Sequence, residues 1–123
     1  MTLGELISKV NTEKPNSFTY AYLTDRVNDV EAMVYDYLET ASDDRNYYNW
    51  PEDKDVELVV DAPYADIYES YLKAKIDYAN EEYELYSTNS AQFNADMESF
   101  RSYAMRKGLV DTSDMPKQIK NWW

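Results

Sequence analysis

The sequence has no cysteine and no histidine. Without thiols there can be no disulfide framework, no zinc–thiolate site and no thiol nucleophile. Without imidazole, the commonest general base and the commonest transition-metal ligand are missing too. Glycine is nearly absent: Gly4 and Gly108 are the only two, which excludes a glycine-rich phosphate loop. No DxDxDG calcium loop is present, and the serines have no partner that would activate them as nucleophiles. No apolar run approaches the ~20 residues a membrane helix needs, and no basic stretch followed by an apolar one opens the chain. These absences predict a soluble protein that stays in the cell that makes it, with no catalytic residues, no metal site and no cofactor.

Positive charge is also scarce. The chain carries 24 acidic residues against 12 basic, for a net charge of −12. The excess of acid is spread along the chain, and only residues 107–123 lean basic. Such a surface repels nucleic acid and membrane phosphates. The carboxylates are the only candidate catalysts. Asp77, Glu81, Glu82 and Glu84 read as an acidic patch on a solvated helix face, with a second acidic group in the segment 43–55. Paired-carboxylate hydrolysis would need two acids in unlike environments facing across a cleft, and nothing in the spacing requires that. What is plentiful is tyrosine, 13 residues in a chain of 123. Tyrosine combines apolar area with a polar tip, which suits half-buried positions and protein contact surfaces.

The length predicts one domain. The stretch from Pro63 to Gly108 organises it. Leu72, Ile76, Ala79, Tyr83, Tyr86, Ser90, Phe93, Met97, Phe100 and Ala104 follow at steps of three and four, with no Gly or Pro between the ends. That spacing places side chains on one helix face. As a single helix the run would reach roughly 65 Å. Ser87-Thr88-Asn89-Ser90 compete for backbone hydrogen bonds, so a kink or break is expected there.

Upstream, Thr2-Leu3-Gly4-Glu5 reads as a capping box before a short amphipathic helix carrying Leu3, Leu6, Ile7 and Val10. Lys14-Pro15-Asn16 ends it. Ser17 or Thr19 caps a second helix with Tyr20, Leu23, Val27, Val30, Val34, Tyr37 and Ala41 on its dry side. Residues 42–61 form an acidic loop, long enough to be functional or mobile, that holds Tyr47, Tyr48 and Trp50. Within it Val56–Val60 is the one strand-like piece. It has no partner strand in the sequence, so it either packs on the helices or is completed by a neighbouring subunit. Asp61 and Pro63 read as the start of the main helical run.

The predicted fold is an all-α small bundle spanning 1–108, with helices about 2–12, 18–41, 62–86 and 89–107. The last two form one kinked helix or a pair. Residues 109–123 are expected to be an extended C-terminal arm ending in Trp122 and Trp123.

LGELISKVNTEKPN at the start, APYADIYESYLKAKIDYANEEYELYSTNSAQFNADMESFRSY in the main run and the late Met115-Pro116-Lys117 together resemble a family of small tailed-phage and prophage proteins. That family is found mostly with Firmicutes hosts and is usually read as head–tail connector (adaptor) proteins. The chain departs from its relatives at Glu81, where glycine is frequent, and in a second helix that is more acidic and less aromatic. The resemblance implies a helical subunit that forms a homo-oligomeric ring in the virion neck, after assembly in the host cytoplasm. Its partners would be the portal protein above and the next head-completion or tail protein below. DNA would pass through the channel without specific binding, and no membrane would be involved.

On this reading Tyr64, Tyr68, Tyr71 and Tyr78 are candidates for lateral packing. Tyr47, Tyr48 and Trp50 are candidates for contact with neighbours or the channel, and Trp122 and Trp123 for docking the tail. Two rival expectations stand beside it. One is an acidic phage-encoded inhibitor that mimics DNA toward a host protein, and the other an assembly chaperone absent from the finished particle.

Overall fold

A computed structural model describes residues 1–38 and 47–108. The fold is an all-helical bundle of α1 (Leu3–Glu13), α2 (Tyr20–Leu38), α3 (Asp66–Ala79) and α4 (Tyr83–Arg106), with no strand among the described residues. The arm 109–123, including Trp122 and Trp123, lies outside them, as does Ala41.

The helix ends follow local chemistry. Thr2 caps α1, its hydroxyl accepting the Glu5 N–H at 3.2 Å. Of the two candidate caps for α2, Thr19 does the capping and accepts the Tyr22 N–H at 3.0 Å. Gly108, at φ 71°, stops α4 in the left-handed conformation that favours glycine. One interior core then collects Leu3, Leu6, Ile7 and Val10 from α1 and Leu23, Val27, Val30 and Val34 from α2. Ile67, Tyr68, Leu72 and Ile76 join from α3, and Met97, Phe100 and Ala104 from α4. Burial on this scale is the main source of stability in such a bundle.

The main helical run is a hairpin of two antiparallel helices, and its break is not at Ser87–Ser90. Tyr64 stacks on Tyr103 at 4.6 Å, and Tyr71 meets Phe93 at 5.1 Å. The chain turns earlier, at Asn80-Glu81-Glu82. The Glu82 N–H donates to the Asp77 carbonyl (2.9 Å) and the Glu81 N–H to the Tyr78 carbonyl (3.1 Å), with Glu81 at φ 59°. This is a Schellman stop with glutamate at the position glycine usually takes. The Ser-Thr-Asn run stays helical because its side chains find partners there. The Thr88 hydroxyl donates to the Glu84 carbonyl (3.1 Å), and the Asn89 amide donates to Asp77 Oδ2 (2.6 Å). One consequence overturns part of the predicted stripe: Ala79 and Tyr83 are exposed, and Tyr86 is only half-buried.

Two further expectations are corrected. Val56–Val60 has a partner within the chain, for Thr2 and Glu57 form an antiparallel bridge. The Leu3 N–H donates to the Val56 carbonyl (3.1 Å) and the Leu58 N–H to the Met1 carbonyl (3.0 Å). Leu58 and Val60 point into the core. Gly4 permits this approach: its N–H donates to the Lys54 carbonyl at 2.8 Å, and a Cβ there would lie 3.0 Å from the same oxygen. The start of α3 is also later than read. Asp61 and Pro63 belong to a turn in which the Tyr64 N–H donates to the Asp61 carbonyl (2.9 Å), and the helix begins at Asp66. No helix among the described residues is long and apolar enough to cross a membrane.

Candidate interaction surface

Two polar anchors inside the bundle fix what lies outside it. Glu31 of α2 is fully buried, yet each of its oxygens has a donor. The Tyr68 hydroxyl donates to Oε1 at 2.5 Å, the Tyr48 hydroxyl to Oε2 at 2.6 Å, and the Val59 N–H to Oε2 at 3.1 Å. The Val60 N–H in turn donates to the Tyr68 hydroxyl at 3.0 Å. Asn28, three residues upstream, brackets the Tyr48 backbone, donating to its carbonyl (3.1 Å) and accepting from its N–H (2.9 Å). The described part of the acidic loop, 47–61, is thereby bolted to α2 and α3. Burial, with the adjacent Glu31 carboxylate, holds the Tyr48 and Tyr68 phenols well above the usual tyrosine range. Tyr71, half-buried and donating to Asp29 Oδ2 at 3.3 Å, is pushed up to about 12 by its partial burial and the neighbouring carboxylate.

Asp77 is the second anchor and does not belong to a solvated acidic patch. It is fully buried, pairs with the Lys14 ammonium and accepts from Asn89. It ties the end of α1 to both arms of the hairpin. The periodicity held a signal for Glu31, which sits four residues from Val27 and three from Val34, in register with the dry face. That a charge in such register would be buried depends on donors from distant segments, which periodicity cannot supply.

The nine predicted contact residues separate by exposure. Tyr68 and Tyr48 are core, held by Glu31, and present no surface to a neighbour. Tyr64 and Tyr71 are half-buried between α3 and α4. Trp50 is half-buried, edge-on to exposed Tyr20 with ring centroids 5.2 Å apart. Tyr47 and Tyr78 are exposed, the latter at 59%. Trp122 and Trp123 fall outside the described residues.

What remains on the outside forms two separate aromatic patches. One is built by Tyr20 with Trp50, close to the first turns of α1 across a shallow groove lined by Thr2, Gly4 and Ser8. The other caps the α3–α4 hairpin. There Tyr78 sits edge-on to Tyr83 (5.9 Å) and Tyr86 (5.2 Å), beside exposed Leu85. Tyr83 and Leu85 were not singled out as surface by their spacing, because the stripe was read straight through the turn. Among the described residues no group of three or more His, Cys, Asp or Glu side chains is placed to hold a metal ion. Comparison with family models, curated proteins and solved structures finds no match.

Proposed function

We propose that this chain is an assembly subunit of a tailed phage, a head–tail connector whose copies form a ring below the portal and continue the channel for DNA. The observation that carries the reading is the pair of exposed aromatic patches, set on different elements of a tightly tied bundle. Aromatic side chains grouped at the surface suit contact with other proteins, and a ring subunit needs different faces for head-to-tail contact. The net charge of −12 supports it too, since an acidic wall lets DNA pass without gripping it. No catalytic step is assigned to the chain.

The test is complementation of particle assembly with a Tyr20→Ser variant, which removes the exposed ring of the first patch. That side chain is exposed, so the fold should survive. Thermal unfolding is expected to match the parent while the yield of tailed particles falls. A particle yield equal to the parent's would overturn the assignment of this patch to assembly.

A further inference from the structure

The hairpin cap carries more information than its apolar area. Tyr78 and Tyr83 are 59% and 58% exposed and Leu85 46%, on a turn where Glu81, Glu82 and Glu84 are all exposed. No ion pair engages those three carboxylates among the described residues. No lysine or arginine occurs between Lys75 and Arg101. The cations at the base of the hairpin are committed: Lys14 pairs with Asp77, and the Lys75 ammonium lies over the Tyr71 ring at 5.1 Å. Glu81 adds a third observation. It lies between Tyr78 and Tyr83 in the chain and occupies a left-handed position, φ 59°, where glycine would be more stable.

We infer that the α3–α4 cap is a docking surface for an arginine-bearing segment of another protein. Charge complementarity selects that occupant. Guanidinium groups stack on tyrosine faces and fork onto carboxylates, satisfying both features of the cap. Nucleic acid and anionic membrane are repelled by the same glutamates. A second copy carries the same net charge of −12 and is repelled on average, and its Lys9, Lys14, Lys73, Arg26 and Arg101 are paired with acids of their own chain. The inference does not rest on the ring: the cap would bind arginine in any assembly.

The test is heteronuclear NMR titration of the full chain with the acetylated, amidated pentapeptide Arg-Leu-Arg-Leu-Arg, at low and at high salt. Shift changes are expected to concentrate on residues 78–86. Tyr78→Ser with Tyr83→Ser, and separately Glu81→Gln with Glu82→Gln and Glu84→Gln, should each weaken binding about tenfold. Asp25→Asn with Glu52→Gln and Asp55→Asn removes as many charges elsewhere and should change affinity by less than about twofold. Glu81→Gly should raise the melting temperature while weakening binding. Four results would overturn the inference. They are no measurable binding, shifts spread evenly over the acidic surface, equal weakening by the control variant, or a change in the free chain's sedimentation mass on replacing Tyr78 and Tyr83, which would assign the cap to a second copy.

Discussion

A carboxylate among aliphatic side chains is tolerated only when its lone pairs are answered, and Glu31 has two phenols and a backbone N–H to do so. Glu31→Ala would leave all three donors without that acceptor. The expected loss is about 3–5 kcal/mol, read from urea unfolding. Glu31→Gln keeps the shape and one acceptor oxygen, and its smaller loss of about 1–2 kcal/mol would separate hydrogen bonding from packing. The phenols give a second, pH-dependent prediction. Tyr48, Tyr68 and Tyr71 are all raised in the folded chain above the ordinary value of about 10. A raised value means the folded state keeps protons that the unfolded chain sheds. Stability from these groups is complete below about pH 10 and declines as pH rises beyond it. Denaturant midpoints measured across that range should fall steadily, with phenolate absorbance of these residues lagging until the chain unfolds. At this scale the sequence showed which faces are dry: Val27, Val30 and Val34 are as buried as their spacing predicted. It did not show that Glu31 and Asp77 would be buried with them, because their partners Tyr48, Tyr68 and Lys14 are distant in the chain.

Elements were read most reliably where a local stop exists. Thr2 starts α1 and Gly108 stops α4 where their chemistry predicts, and Thr19, one of two candidate caps, starts α2. The hairpin turn was misplaced because two local signals competed. Ser87–Ser90 looked like a breaker, but helical back-bonding by Thr88 and the reach of Asn89 to Asp77 removed the conflict. At Asn80-Glu81-Glu82 no glycine marked the turn, and Glu81 adopted the left-handed conformation all the same. Glycine at this position would fit the same backbone without strain. Glu81→Gly is therefore expected to stabilise the chain by about 0.5–1 kcal/mol, a rise of roughly 2–5 °C in melting temperature by calorimetry. The segment 56–60 was legible as extended but not as paired, since its partner is the two residues ahead of α1 and not a strand.

The whole molecule combines an apolar bundle with a net charge of −12, so its surface carboxylates repel one another in the folded state. Moderate sodium chloride should raise the melting temperature by a few degrees through screening, and a fall would show that the ion pairs outweigh the repulsion. All-α class and a single core were accessible from periodicity and composition, and among the described residues no helix is long and apolar enough to cross a membrane. The outward face was less so, because exposure of Tyr78 and Tyr83 follows from where the hairpin turns. The proposed role in a phage neck concerns many copies and other proteins, and is tested most directly in the finished particle. The measurement is quantitative mass spectrometry of purified phage, with antibody labelling located by electron microscopy. The connector reading predicts the chain at the neck, in a fixed ring-sized copy number per particle. Its absence from finished particles would contradict that reading and favour a chaperone or a host-directed acidic inhibitor.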